Sequence, residues 1–321
     1  MNTRKSLILA LSMLAILSMS IAIGCRKESV SPATGNIPEG VTLLGRVKLQ
    51  EILEDPDIET IANKVLEASG EPQTFDEALA SFVLETGIDL RGFTEFLVFG
   101  DPFRQEADGD YLGVILKGDM EENRLLEGIE KEEGIFTTSD YKGVEVHISE
   151  DGETAVTFLD DGSTVIGSQT MVQDVIDVSK GDKRAIRGRV LDTFNSLGDA
   201  LVTVALEVPP EALEELSSET PDFGISLEIF SGLEMVAITL DKRGENISAE
   251  VQLGFAEEET AADAAEGIGG LLSFIKLFID NQDIAQLIDS IEVDALRTEV
   301  TLSLKITITE ILNLIETFEG F

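Results

Sequence analysis

Residues 41–47 read VTLLGRV and lead into an acidic, helix-like stretch; residues 202–208 read VTVALEV and lead into another at Pro209-Pro210-Glu211. The proline pair suits the first turn of a helix. Working outward from these two strands, the likeness continues. Glu95-Phe96-Leu97-Val98-Phe99 parallels Glu234-Met235-Val236-Ala237-Ile238, and Val114-Ile115-Leu116 parallels Val251-Gln252-Leu253. Both lead to acid-rich helix starts, at 120–123 and 257–260, where carboxylates favour the positive end of the helix dipole. Amphipathic segments at 171–178 and 308–318 close the two units. Strand, helix, hairpin, helix, strands, helix, used twice, predicts an α+β fold: a tandem duplicated antiparallel sheet with packed helices. Identity between the halves is low, so two unrelated α+β segments are the alternative. The turns at Asp108-Gly109-Asp110, Glu150-Asp151-Gly152, Asp160-Asp161-Gly162 and Arg243-Gly244 sit between alternating runs, as hairpins require. The first half is expected over 41–198 and the second over 199–321.

The chain has 321 residues, with 62 acidic side chains against 23 basic ones, one His, one Cys and no Trp. A net charge of -39 repels phosphate backbones, which excludes a nucleic-acid partner, because such binding runs on cations displacing counterions. Hydrophobic residues make up 43%, enough to build a core rather than a disordered acidic polymer. A single Cys excludes a disulfide within one chain and any multi-cysteine metal site.

At the N-terminus, Arg4 and Lys5 precede an uncharged apolar run from Ser6 to Ile23 that ends in Ala22-Ile23-Gly24-Cys25. Here the chain resembles bacterial lipoprotein precursors, in which a small residue stands just before an obligatory Cys. The resemblance implies a signal peptide over 1–24, cleavage between Gly24 and Cys25, diacylglycerol on the Cys25 sulfur and a further acyl chain such as palmitate on the new amino group. An uncleaved signal anchor and a plain secretory leader are the other readings, and all three export the body. Residues 25–40 contain the lipid-attachment Cys and a Ser-, Pro- and Gly-bearing stretch expected to be a flexible linker, with a reach of about 50 Å when fully extended. The layout also resembles an exported bacterial family built on a domain of unknown function, through Thr86-Gly87-Ile88-Asp89-Leu90 and Tyr141-Lys142-Gly143-Val144. That family carries no activity to transfer.

Chemistry is sparse. Alternation in 143–148 puts Val144, Val146 and Ile148 on one strand face and Glu145 with His147 on the other, which is expected to be wet. No nucleophile elbow, phosphate loop, zinc-helix motif or dinucleotide fingerprint is present. Acid clusters at Asp108 and Asp110, and at Asp151, Asp160 and Asp161, lack the calcium-loop order and read as turn chemistry. The basic run Lys180, Lys183, Arg184, Arg187 and Arg189 reads as a face neutralising nearby acids, or as a dock for a headgroup or acidic partner. The apolar stretch 268–279, IGGLLSFIKLFI, is too short to span a bilayer and is expected in the core or over an apolar cavity, with Gly269 and Gly270 allowing close approach.

The expected function is therefore a lipid-anchored, exported, non-catalytic envelope protein, held outside the cytoplasm on the cell membrane or outer membrane. No cofactor, metal or catalytic residue is assigned. Two alternatives stand: a carrier of lipid or another apolar ligand, and a hydrolase using paired carboxylates.

Overall fold

A computed structural model describes residues 32–70, 73–106, 109–119, 121–213, 227–279 and 281–318. The first half contributes β1 (Leu43–Val47), β2 (Phe93–Glu106), β3 (Gly109–Gly118), β4 (Phe136–Tyr141), β5 (Val144–Ser149), β6 (Ala155–Phe158) and β7 (Thr164–Gly167). The second contributes β8 (Val202–Glu207), β9 (Leu233–Arg243), β10 (Asn246–Phe255), β11 (Glu292–Leu296) and β12 (Glu299–Thr307). All join one antiparallel sheet in the order β11-β12-β10-β9-β8-β1-β2-β3-β7-β6-β5-β4. The fold is α+β, with the duplicated units side by side in that sheet.

The seam between the halves is the pairing of β1 with β8, in which Leu44 faces Ala205 and Gly45 faces Val204. Outward from the seam both sides repeat one plan: a first strand, then a long hairpin, β2-β3 on one side and β9-β10 on the other. The registers refine the correspondence by one residue. Val98 pairs with Gly45, Gly45 with Val204 and Val204 with Ile238, so Phe96 and Val98 share a face with Val236 and Ile238. The sequence alignment had set Leu97 against Val236. A one-residue slip in a strand turns every side chain to the opposite face, and only the pairing reveals it.

Local sequence explains the helices: α1 (Leu49–Leu53), α2 (Pro56–Ala68), α3 (Phe75–Thr86), α4 (Glu122–Glu133), α5 (Gln169–Ser179), α6 (Arg189–Ser196), α7 (Glu258–Lys276), α8 (Gln282–Asp289) and α9 (Ile308–Phe318). Asp55 caps α2, accepting from the N–H groups of Asp57 and Ile58, with Pro56 in the first turn. Thr74 and Glu77 form a reciprocal capping box on α3. Ser168 caps α5 and Asn281 caps α8.

The sheet has two unlike faces. Leu44, Leu97, Phe99 and Ala205 lie on one, here face A, and are sealed by Met171, Val172 and Val175 of α5 and by Val190 and Phe194 of α6. The other, face B, carries three clusters. One gathers Leu49, Leu116 and Leu125 under α1 and α4; a second gathers Ile52 and Ile58 of α1 and α2 with Val202 and Leu240; the third sets α7 through Ala261, Ala264 and Ile268 on Leu253 and Val300. The closing helix α9 packs beside α2, with Glu316 ion-paired to Lys64 at 3.5 Å.

Part of the expected linker is held against the body. Pro32–Asn36 forms a 3-10 turn, Ile37 is fully buried, and the Ile186 N–H donates to the Ile37 carbonyl at 2.7 Å. At the seam, the Arg46 guanidinium is buried over the Phe194 ring, donating to the Gly198 carbonyl at 2.9 Å with Asp199 at 3.4 Å. It ties the connection between the halves to the strand pair that joins them.

Leu97 is fully buried at the centre of face A, whereas Leu296 is 75% exposed. Truncating Leu97 to Ala should cost about 3 kcal/mol in chemical denaturation, and Leu296→Ala less than about 0.5 kcal/mol.

Candidate functional site

Gly24 and Cys25 lie outside the described residues, as does Asp108. The remaining candidates can be placed. His147 is not on a wet face: it is 8% exposed, opposite fully buried Val156 and edge-on to Phe158 with ring centroids 6.0 Å apart. Its Nε2 lies 3.2 Å from Glu145 and its Nδ1 3.4 Å from the Thr138 hydroxyl. The alternation was read correctly, but face B is apolar at this strand, so the imidazole packs while Glu145 stays exposed. Glu145 and His147 do meet, without a third ligand: among the described residues no group of three His, Cys, Asp or Glu is placed to hold a metal ion.

The acidic turns satisfy themselves. Asp151 accepts from the Ser149 hydroxyl at 2.6 Å and the Glu153 N–H at 3.0 Å, and Asp161 accepts from Ser163 and from Asn36. The basic run is distributed over acids of the same chain: Arg184 and Arg187 meet Glu39, Arg189 meets Glu234 at 2.5 Å, and Lys183 meets Asp174 and Asp177. Only Arg189 of this run lies in a helix.

Sequence reasoning missed the node around α5. Both tyrosines of the chain donate to it, Tyr111 to Asp174 at 2.7 Å and Tyr141 to Asp177 at 3.2 Å. Lys142 bridges Asp177 and Asp182, each at 2.6 Å, from a left-handed backbone position (φ 54°) in the β4-β5 turn. Burial works against the charge on Asp177, but hydrogen bonds from Lys142 and Tyr141 outweigh it and hold the carboxyl below its usual value. The carboxyls of Glu39, Asp55, Asp151, Asp161 and Glu310 are likewise held low. That direction is opposite to the one a general acid needs.

Two apolar features stand apart from this chemistry. The stretch 268–279 is only partly core. Ile268 is buried, but Phe274, Leu277 and Phe278 are 56%, 80% and 72% exposed, because the end of α7 runs past the cluster that its first turns form on the sheet. Gly267, rather than Gly269 or Gly270, provides the close approach: a Cβ there would stand 2.8 Å from Ile229. No described helix is long and apolar enough to cross a membrane.

The second feature is a transverse row on face B. From Ile166 on β7 it runs through Val114 and Val98 to Gly45, then Val204, Ile238, Val251 and Leu302, each facing the next across the strands. All are apolar, and all but Gly45 are only partly buried.

No known protein family and no curated protein sequence matches the chain. Among solved structures the chain is similar to crystal form I of TP0453 (12% identity, TM-score 0.45, covering 91% of this chain and 99% of that one). Crystal form III of TP0453 gives 11% identity and a TM-score of 0.47 over 90% of this chain and 99% of that one.

Replacing Asp177 by Asn should destabilise the fold by about 2 kcal/mol at neutral pH, since hydrogen bonds to a charged group are lost. Because the folded carboxyl titrates below the unfolded one, its contribution is complete above the ordinary Asp value of about 3.9 and disappears as pH falls through the lower folded value. Thermal melts should therefore show the D177N deficit shrinking over that acid interval. His147→Ala should cost about 1–2 kcal/mol, a packing loss that calorimetry would register.

Proposed function

We propose that this chain is an exported protein held on a bacterial membrane by lipid on Cys25 after cleavage behind Gly24. Its body binds or supports other envelope components without catalysing a reaction. The observation that carries this reading is the leader: Arg4 and Lys5, the apolar run 6–23, and a lone Cys25 where apolar sequence gives way to polar sequence. A thiol that must be acylated has to emerge at that boundary. Two acyl chains hold a protein far longer than one, since each buried methylene contributes about 0.8 kcal/mol. Residues 26–31 separate Cys25 from the described body, which limits its distance from the bilayer to about 25 Å, less than the about 50 Å of a tether running to residue 40. The exposed Phe274, Leu277 and Phe278 fit a place beside an apolar phase, because contiguous apolar surface in water marks an interaction site.

A second reading, an apolar-ligand carrier, is favoured by the partly buried row on face B. A hydrolase reading gains nothing from carboxyls that cations, hydroxyls and backbone N–H groups hold low. Cys25→Ala should move the protein from the detergent phase to the aqueous phase on temperature-induced separation. Unchanged partitioning would rule out the lipid anchor. Native mass spectrometry of the membrane-extracted chain decides between the first two readings: a stoichiometric lipid adduct beyond the covalent anchor supports the carrier, and a bare chain supports the binding or structural role.

A further inference from the structure

We infer that β4 is a docking edge for a second copy of this chain: two molecules anchored on one membrane pair their outermost strands antiparallel about Thr138, a contact that rests on the lipid-anchor reading. β4 ends the sheet, and among the described residues no strand lies beyond it. Lys142 and Gly143 both have left-handed backbones (φ 54° and 79°), which makes the β4-β5 connection a two-residue hairpin whose closing pair, Tyr141 and Val144, exchanges backbone bonds. Bonded pairs alternate along an antiparallel ladder, so Thr137 and Ser139 also bond inward, while Phe136, Thr138 and Asp140 turn their N–H and C=O groups outward. Glu130 accepts from the Phe136 N–H at 3.4 Å; the backbone groups of Thr138 and Asp140 face away from the sheet.

The two edges of the sheet differ in how they are guarded. Natural edges are protected by charge, proline, bulges or a covering element. β11 carries Glu292 and Asp294, and the register in which it overlaps a second β11 fully sets Asp294 against Asp294, a like-charge pair. β4, FTTSDY, has an unbroken register with β5 and no proline, and Thr137, Thr138, Ser139 and Asp140 are all exposed. Paired with itself about Thr138, the segment 135–141 sets Thr137 against Ser139, Phe136 against Asp140 and Ile135 against Tyr141, with no like charges opposed. Ile135, 73% exposed in one copy, gains an aromatic neighbour on the same face.

The symmetry suits anchoring. A two-fold axis between antiparallel neighbours stands perpendicular to the sheet, so face A of one copy continues into face A of the other. Pro32–Asn36, at the root of the tether, packs beside α5 on face A. Both tethers therefore leave on one side, as two anchors in one bilayer require. The segment supplies far fewer residues than the about 20–30 a side of a stable interface, so the pair is weak in dilute solution and depends on the high effective concentration that a shared membrane gives. The charge of -39 on each copy opposes it only near the contact, because salt screens beyond about 8 Å and the bodies meet at their outermost strands.

The test puts the full lipid-anchored chain with Thr138→Cys on phosphatidylcholine vesicles under mild oxidation. The two introduced thiols lie within disulfide reach, since Cα atoms of a hydrogen-bonded pair are about 5.5 Å apart. Disulfide-linked dimer mapped to position 138 should form at least about tenfold faster than dimer from Ala295→Cys on the β11 edge, the difference between a held pair and chance collision. Register is read by mixing Thr137→Cys with Ser139→Cys chains, which face each other across the pair, and the mixed dimer should exceed either self-dimer. A rate at 138 no greater than at 295, or a mixture no better than its parents, overturns the site. The second comparison leaves Thr138 and its contact with His147 intact, so it decides the case if the first variant misfolds. Dimer from the unaltered chain would come from a free Cys25 thiol and would overturn the anchor, whereas peptide mapping of the bond at 138 judges the pairing by itself.

Discussion

The pairing of β1 with β8 is the contact on which the rest of this molecule depends. These strands open the two halves and meet along Leu43–Val47, turning two sheets that would each carry a bare inner edge into one. Unpaired edges invite association with other chains, and here the most exposed pair closes on itself. The ends to be joined are more than 150 residues apart in sequence, so the connection must be guided. Arg46 does part of this. It is buried on β1 and donates to the carbonyl of Gly198, the residue at which the connecting segment turns into β8. A buried guanidinium tolerates little displacement, because its desolvation is offset only where its partners stand.

Once the seam is set, the alternation of each strand decides which helix can cover which face. Face A is apolar in the first half and takes α5 and α6. In the second half the same side presents Thr239, Ser248, Gln252, Thr301 and Ser303, and the closing helix goes instead to the neighbourhood of α2 on face B. The duplication is thus preserved in the inner strands, β1-β2-β3 against β8-β9-β10, and broken in the outer strands, four against two, and in the helices. Strand order is held by backbone hydrogen bonds that any sequence can make, whereas helix placement follows side-chain polarity. One consequence is that face B carries nearly all the apolar load of the second half, with Val204 packed into the cluster of α1 and α2 and Val251 into that of α7.

Against the large acidic excess, cations are placed where distant segments join. Glu39 meets Arg184 and Arg187, Lys242 meets Asp55 and Asp57, and the α5 node binds the β4-β5 turn through Lys142 and Asp177. Exposed pairs of this kind are worth little individually. The Asp177 node differs because its carboxyl is largely buried and its partners include a tyrosine hydroxyl. The basic run 180–189 belongs to the same scheme, since its charges are satisfied within the chain.

The repeated strand and helix order, the hairpin turns with Gly244 and Gly152 in left-handed conformations, and the duplicated α+β class were legible in residues alone, because turn chemistry and periodicity are local properties. The proposal of export rests on residues alone, the apolar run 6–23 followed by Cys25. Pairing decided what remained. That Val98 rather than Phe99 shares a face with Ile238, that His147 is packed rather than wet, and that the end of α7 emerges from the core are consequences of register and helix reach. Each depends on residues far apart in sequence meeting at a particular offset. Linear spacing states that a strand has two faces, and only the neighbouring strand and the helix laid over it determine which of the two is dry.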